Sequence, residues 1–244
     1  MARYRAVIEY DGTDFWGFQR QARGRTVQGE LEAALRQLGW TGPTLWGAGR
    51  TDTGVHAAGQ VVAFDLEWRH GAPALARALN AHLPPDLAVR TAGESAPDFR
   101  PRFDARGRRY RYTIYNAPAR SPLRARYAWH VQTPLDLPAM QAAAERLVGQ
   151  QDFATFGTDP DGGTNTVRTV SQADWSGRPP ELYFDIQADA FLYRMVRGLV
   201  GTLKQVGAGV MTAADLEASL RARDRARCAP LAPPGGLCWM EVLY

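Results

Sequence analysis

The residues most able to do chemistry lie in one glycine-punctuated segment, residues 47–57, which reads Gly-Ala-Gly-Arg-Thr-Asp-Thr-Gly-Val-His-Ala. The segment carries a single carboxylate, Asp52, and the guanidinium of Arg50 stands two residues before it. A nearby cation keeps a carboxylate ionised and fixes its direction, as a nucleophile or the stabiliser of an oxocarbenium ion requires. The purely structural alternative is a tight turn in which Asp52 or Thr53 caps local backbone groups.

Two other uses of this segment fit its sequence less well. A phosphate-binding loop needs the dinucleotide glycine spacing, or a Lys followed by Ser or Thr, and neither is present. The triplet Asp52-Thr53-Gly54 occurs in aspartic proteases, but they need two carboxylates sharing a proton, and this chain has one copy. A lone ionised aspartate instead suits the breaking of a glycosidic bond. No acid partner is needed when the leaving group is uracil, because the detached base carries its own negative charge.

The elements predicted around this segment follow the order β-α-β-β-α-β in each half of the chain. In the first half, alternation and helical periodicity predict strands at 4–10, 44–48, 61–66 and 88–92 and helices at 26–39 and 73–83. In the second half they predict strands at 108–115, 166–175, 182–188 and 237–243, a helix that begins after residues 136–138 and ends at 149, and a helix at 192–206. Thr212 and Asp215 resemble a capping box for one further helix. The Asp52 segment is thus a loop between two strands.

A polar, proline-containing stretch at residues 98–106 separates the two halves. It predicts an N-terminal domain over residues 1–100, which carries the Asp52 loop, and a C-terminal domain over residues 101–244. Two split β-α-β (ferredoxin-like) halves predict an α+β fold. We expect one continuous, mostly antiparallel sheet with helices on one face and a central cleft. Such a fold supports many activities, so function has to be argued from the site.

The basic residues are almost all arginine, since Lys204 is the exception among 29. Planar guanidinium groups form paired hydrogen bonds with phosphates and stack on bases, so an arginine-rich surface suits RNA. A GC-rich coding bias is the alternative explanation for the excess of arginine over lysine. The arginines that could line a groove form three clusters: Arg20, Arg23 and Arg25; Arg100, Arg102, Arg106, Arg108, Arg109 and Arg111; and Arg120, Arg124 and Arg126. Three separate solvated faces are the alternative.

Other classes of protein are disfavoured by composition. The two cysteines, Cys228 and Cys238, and the four scattered histidines predict neither a disulfide framework nor a metal site. The N-terminus has no apolar signal-like region, and the chain has no uninterrupted apolar run of membrane-spanning length. The sequence therefore predicts a cytoplasmic protein that uses no membrane and no metal.

Several motifs resemble those of the tRNA pseudouridine synthase A family. The catalytic loop of that family is similar to residues 49–57, and its N-terminal signature is similar to residues 9–12 with residues 17–21. Further resemblances are Asn80-Ala81-His82-Leu83-Pro84, Arg108-Arg109-Tyr110-Arg111-Tyr112 and the stretch from Ala190 to Arg197. The chain departs from the usual pattern at Phe18, where tryptophan is common, at Tyr193-Arg194 and at Gly198. These blocks span nearly the whole chain in the family's order.

The resemblance implies an isomerase that converts uridine to pseudouridine at positions 38 to 40 of the tRNA anticodon stem-loop. It implies a homodimer that uses no cofactor. By motif position Asp52 is the nucleophile, attacking either the base or the sugar, Arg50 fills the space of the flipped nucleotide, Tyr110 stacks on the target base, and Arg197 pairs with Asp52. The alternation pattern alone favours a core aromatic on the sheet face at Tyr110. The other candidate RNA contacts are Arg20, Arg23, Arg25, His56, Arg109 and Arg194. A non-catalytic RNA-binding module on the same fold is the alternative function.

Overall fold

The computed structural model describes residues 1–244 and contains two compact units, Met1–Arg106 with Trp239–Tyr244 and Gly107–Cys238. Ten strands and five α-helices form them, and most strand pairs are antiparallel. The predicted α+β class is therefore confirmed. No helix combines the length and the apolar character needed to cross a bilayer.

The elements of the first half follow the predicted β-α-β-β-α-β order. They are β1 Ala2–Tyr10, α1 Val27–Gln37, β2 Trp46–Gly47, β3 His56–Leu66, α2 Ala72–Asn80 and β4 Leu87–Glu94. Thr26 caps α1, since its side chain accepts a hydrogen bond from the Gly29 N–H. Strand β3 begins five residues before the predicted Val61. Its residues are buried on both faces, so the alternation that marks a half-exposed strand is missing.

The second half adds two short strands to the predicted plan. Its elements are β5 Gly107–Asn116, β6 Trp129–Val131, α3 Leu137–Glu145, β7 Gly149–Asp152, β8 Val167–Arg178, β9 Glu181–Ala188, α4 Met195–Gly207, α5 Ala213–Ala222 and β10 Leu237–Leu243. The capping box predicted from Thr212 and Asp215 is present at the start of α5. Strands β6 and β7 have three and four residues, which is too short for a periodic signal.

In the first unit, β1 lies between β3 and β4 and is antiparallel to both, with β2 pairing along β3. Helix α2 is fixed to β4 because the side-chain amide of Asn80 both donates to the Val89 carbonyl and accepts from the Val89 N–H. Residues of β10 follow β3 closely, since a Cβ at Gly59 would lie 2.3 Å from the Met240 carbonyl oxygen. The loop that carries Asp52 joins β2 to β3.

In the second unit, the order β5-β9-β8-β7 is antiparallel throughout, and β6 pairs with β5 in parallel. Helices α3, α4 and α5 pack on one another, and α3 packs on β8. The side chains of β5 alternate between two faces, because Tyr110, Tyr112 and Ile114 are buried, whereas Arg109, Arg111 and Thr113 remain partly exposed.

Candidate functional site

Asp52 opens a turn that main-chain atoms close. The Val55 N–H donates to the Asp52 carbonyl at 3.1 Å. Gly54, the third residue of the turn, has a φ of +79°, the left-handed value that a type II turn requires at this position and that glycine adopts easily. Closing the turn therefore does not require the Asp52 carboxylate. The residue is half-buried, while its neighbour Arg50 is exposed.

Thr51 is held immediately before this turn. Its hydroxyl lies 2.8 Å from the Tyr10 hydroxyl, and both residues are buried. Its carbonyl accepts a hydrogen bond from the Phe18 N–H at 3.1 Å. Tyr10 is the last residue of β1, and its ring packs edge-on against Phe15 at 6.2 Å between centroids. The position of Asp52 is thus set on this side by a strand end and by the segment that follows it.

Gly12 and His56 hold the other side of the turn. The Gly12 N–H donates to His56 Nδ1 at 2.9 Å, and the His56 side chain is buried. A Cβ at Gly12 would lie 2.0 Å from the Val55 carbonyl oxygen, so the backbones approach at a distance that only glycine allows. His56 therefore helps to position the loop through Nδ1. A contact between His56 and RNA stays a prediction.

The segment 17–20 packs directly on the loop from a third direction. Gly17 has a φ of +91°, and a Cβ there would lie 2.7 Å from the Thr51 carbonyl oxygen. Helix α1 fixes this segment, because the Gln28 N–H donates to the Phe18 carbonyl at 2.9 Å and the Gln28 side chain accepts from the Arg20 N–H at 3.0 Å. The loop is therefore supported by contacts that begin in α1.

Glu32 completes this support as a fully buried carboxylate. It accepts hydrogen bonds from the Gln28 amide at 2.9 Å and the Leu45 N–H at 3.2 Å, and it pairs with the guanidinium of Arg20. A buried carboxylate is tolerated only with such partners. Sequence reasoning missed Gln28 and Glu32. Their signal is a polar pair four residues apart, directly beside the apolar stripe of α1.

The arginines of the first unit that are predicted to contact RNA differ in whether a carboxylate binds them. Arg20 pairs with Glu32, and the guanidinium of Arg25 binds both carboxylate oxygens of Asp86 at 2.6 and 2.7 Å. Arg23 is exposed. The ion pairs of Arg20 and Arg25 give these residues a role in the structure of the unit. Their contact with phosphates, like that of Arg23, stays a prediction.

The Arg25 pair makes a testable contribution to stability. Its hydrogen bonds and charge hold the pKa of Asp86 below its usual range, against the opposing effect of burial. A carboxylate with a lowered pKa in the folded state stabilises above its ordinary pKa, and this stabilisation disappears as pH falls through the lowered value. We expect Asp86→Asn to cost about 1 kcal/mol of unfolding free energy at pH 7. The difference from the unsubstituted protein should shrink below about pH 4.

Urea unfolding at a series of pH values measures this difference. Glu67→Gln is the matched control, because Glu67 forms an ion pair with Arg69 in which both side chains are largely exposed. It should change stability by no more than a few tenths of a kcal/mol. An Asp86→Asn deficit that is the same at pH 3 and pH 7 would contradict the role given to the Arg25 pair.

In the second unit, Tyr110 and Arg109 are adjacent on β5. Tyr110 is 8% exposed, and its ring packs edge-on against Phe191 at 4.9 Å between centroids with an interplanar angle of 85°. Arg109 is half-buried and lies opposite Gln187 of β9. Phe191 lies in the motif 190–197, but its contact with Tyr110 was not predicted, because a ring contact between residues so far apart in sequence leaves no local pattern.

Arg194 and Arg197 lie at the start of α4. Arg194 has a left-handed φ of +63°, which is uncommon outside glycine, and its guanidinium lies 4.7 Å from the centre of the Tyr193 ring. Arg197 Nε donates to the Ala232 carbonyl at 2.8 Å, and the Ala232 N–H donates back to the Arg197 carbonyl at 3.0 Å. Burial raises the pKa of Tyr112, and the positive charge of Arg197 opposes that rise. The guanidinium of Arg197 is therefore held by main chain within electrostatic range of Tyr112.

The structure contains no cluster of three or more His, Cys, Asp or Glu side chains that could bind a metal ion. Each unit thus carries its own candidate residues: the Asp52 loop with its supports in the first, and the arginines and aromatics of β5 and α4 in the second.

Comparison with known proteins gives consistent matches over the whole chain. A family model described as tRNA pseudouridine synthase matches residues 6–104 and 143–244. Proteins named tRNA pseudouridine synthase A match all of this chain. The protein of Allorhizobium ampelinum is 46% identical and is matched over 95% of its own length. The proteins of Rhizobium meliloti and Geobacter sulfurreducens are 43% and 41% identical and are matched over their full lengths.

A solved structure titled "Crystal Structure of a Cbf5-Nop10-Gar1 Complex" overlaps 97% of this chain and 49% of its own, with a TM-score of 0.42 and 13% identity. An overlap of this size has no bearing on function. The family model and the full-length relatives carry the assignment, and they agree with the motifs around Asp52 and Arg197. The chain belongs to the tRNA pseudouridine synthase family.

Proposed function

We propose that this protein isomerises uridine to pseudouridine at positions 38 to 40 of the tRNA anticodon stem-loop, with Asp52 as the nucleophile. Family membership makes the chain an isomerase that acts on tRNA. The observation that supports Asp52 is its setting. It is a half-buried carboxylate in a turn closed by main chain, between two residues, Thr51 and Val55, that are held by contacts from β1 and the segment after it. Such rigid support is what a positioned nucleophile requires.

The reaction needs no cofactor, because it breaks one glycosidic bond and makes another. Asp52 attacks the uracil ring or the sugar carbon, and the bond between C1′ of the ribose and N1 of the base breaks. The base turns within the site, its C5 joins C1′, and the bond formed by Asp52 breaks, which returns the carboxylate. The hydrogen on C5 leaves as a proton and N1 gains one, so atoms and electrons balance without an oxidant or reductant.

The remaining residues act on the nucleotide around this step. In our proposal Arg50, which is exposed, takes the place of the flipped nucleotide, and Tyr110 stacks on the target base. Flipping a base costs a few kcal/mol, which side chains that replace its stacking partly recover. Arg197 pairs with Asp52, and the fixed hydrogen bond of its Nε to Ala232 limits how its guanidinium can point. Arg20, Arg23, Arg25, His56, Arg109 and Arg194 contact the RNA.

The proposal includes the assembly and the cellular setting expected for such an enzyme. We propose a cytoplasmic homodimer whose two subunits share each tRNA. The basic sequence, with a net charge of +4 that arises mostly from arginine, suits the phosphate backbone of such a substrate.

Release of tritium tests the proposed reaction directly. An unmodified tRNA transcript carrying tritium on C5 of its uridines should lose tritium to water as pseudouridine forms, because the new bond at C5 displaces that hydrogen. Transcripts with cytidine at positions 38 to 40 serve as the matched control and should release none. Tight binding of the transcript with no release would overturn the enzyme proposal and support a non-catalytic RNA-binding module. Release that persists in the control would overturn the proposed positions.

A further inference from the structure

The second unit contains a pocket of about 230 Å³ beside the loop 117–128, which connects β5 to β6. Its lining is almost entirely apolar. The side chains that matter here are Tyr115, Arg120, Pro122, Ala125, Ala128 and His130. This part of the chain lies between the two ranges that the family model matches, 6–104 and 143–244. It also contains the third arginine cluster, to which the proposed reaction gives no role.

The base of this loop is fixed by buried hydrogen bonds. The Asn116 side chain, 7% exposed, donates to the carbonyls of Val131 and Thr133, both at 2.8 Å. His130 Nε2 lies 2.8 Å from the Ala117 carbonyl oxygen, to which it donates. Strand β6 pairs with β5 so that Tyr115 and His130 are neighbours. The walls of the pocket are therefore formed before any ligand binds, which reduces the entropic cost of binding.

The outer part of the loop is also tied to the sheet. The Arg124 guanidinium pairs with Glu181 of β9 at 2.6 Å, and the Tyr183 hydroxyl donates to the other oxygen of Glu181 at 2.5 Å. Backbone turns at Ser121 and Pro122 shape the segment between. Arg124 thus serves as part of the frame and has its charge matched by a carboxylate.

The size and lining of the pocket fit one planar aromatic group. The rings of Tyr115 and His130 lie 5.9 Å apart at an angle of 44°. Pockets for whole small-molecule ligands measure roughly 300–1,000 Å³, so this one holds a single ring system. Arg120 stands at its rim with an exposed side chain that forms no ion pair or hydrogen bond in the structure. An aromatic wall beside an available guanidinium is the combination that binds a base together with its phosphate.

This pocket is distinct from the position proposed for the target base. Tyr115 is five residues after Tyr110 on the same strand, which separates them by roughly 17 Å. Residues an odd number apart on a strand also face opposite sides of the sheet. A ligand on Tyr115 is therefore a different nucleotide from one that stacks on Tyr110.

We propose that this pocket binds one unpaired nucleotide of the tRNA, outside the uridine that reacts, with the base against Tyr115 and the phosphate on Arg120. The identity of the RNA rests on the proposed function. The pocket adds a second fixed point for a substrate much longer than the active site.

Binding of an unmodified tRNA transcript to four variants tests the pocket. Tyr115→Leu keeps an apolar side chain but removes the ring, and it should weaken binding about 5- to 160-fold, the range for loss of one base–aromatic stack. Tyr115→Phe should bind within about twofold of the unsubstituted protein, since the stacking ring remains. Arg120→Met should weaken binding more than Arg77→Met does. Arg77 is an exposed arginine on α2 that has no ion pair, so both substitutions remove one charge. Ultraviolet cross-linking should attach a nucleotide to the peptide that contains Tyr115.

Several outcomes would overturn the proposal that this pocket binds a nucleotide of the tRNA. Unchanged tRNA binding by both Tyr115→Leu and Arg120→Met would contradict the proposal. Because Arg120 is exposed, its substitution should not disturb folding, so Arg120→Met tests the pocket even if Tyr115→Leu folds poorly. A fall in sedimenting mass of Tyr115→Leu without loss of tRNA would show that another copy of the chain occupies the pocket. Tritium release separates this proposal from the reaction itself. If tritium release is normal and the Tyr115 and Arg120 variants bind tRNA as the unsubstituted protein does, only the nucleotide pocket is overturned. If tRNA binding depends on the Tyr115 ring but no tritium is released, only the proposed function is overturned.

Discussion

Asp52→Asn is expected to stop pseudouridine formation while tRNA still binds. The amide has the shape of the carboxylate but cannot act as its nucleophile, so the rate should fall by at least about 1,000-fold, or about 4 kcal/mol of transition-state stabilisation. The turn should persist, because its closing bond runs from the Val55 N–H to the Asp52 main-chain carbonyl. Single-turnover tritium release and a binding titration with the same transcript measure the two quantities separately.

The control for this substitution is Asp98→Asn, which changes an exposed carboxylate of the same unit in the same way. It should leave both rate and affinity close to those of the unsubstituted protein. Undiminished product from Asp52→Asn would remove Asp52 from the chemistry. A joint loss of binding, product and thermal stability would instead show that its carboxylate maintains the fold, which is the structural role that the sequence left open.

Local signals in the sequence predicted the element order that carries the Asp52 loop. The apolar spacing of α1, the cap at Thr26 and the capping box at Thr212 each involve residues within a few positions of one another. The alternation along β5 likewise separates its buried side chains from its partly exposed ones. These features depend on one turn of chain or one strand, so they are visible without tertiary contacts.

The supports of the site could not be predicted in this way. The bond between Tyr10 and Thr51 joins residues 41 positions apart, and that between Gly12 and His56 joins residues 44 apart. Glycine at position 12 is recognisable as part of a turn, but its role in admitting the Val55 carbonyl depends on how two strands approach. Long-range packing leaves no periodic trace in the sequence.

The arginine clusters illustrate the same limit for charge. The sequence alone predicts Arg20 and Arg25 as surface cations. It does not show that Asp86 is the partner of Arg25, because the two lie 61 residues apart. In the third cluster Arg124 has a carboxylate partner, whereas Arg120 has none. Counting arginines therefore indicates a class of ligand, and only the positions of the acidic residues show which guanidinium groups are available to bind it.

Gly12→Ala is expected to impair the enzyme without altering any group proposed to take part in the reaction. The added methyl would lie 2.0 Å from the Val55 carbonyl oxygen and 2.5 Å from the Val55 carbonyl carbon. Both belong to backbone, so relief requires movement of the chain between Asp52 and His56. Overpacking of this kind costs about 1–3 kcal/mol of stability. A displacement of about 1 Å at a reacting group lowers its rate by about 100-fold.

The matched control is Gly93→Ala on β4, since a Cβ at Gly93 has no heavy atom within 4 Å. Both substitutions add one methyl to a glycine of the first unit, but only the one at Gly12 pushes on the Asp52 loop. Thermal unfolding, tRNA affinity and single-turnover rate, measured where both variants are folded, distinguish the effects. We expect Gly12→Ala to lose rate with little change in affinity and Gly93→Ala to lose neither. Equal rates in the two variants would mean that the approach of Gly12 to Val55 does not position Asp52, because the loop would then have tolerated a displaced support.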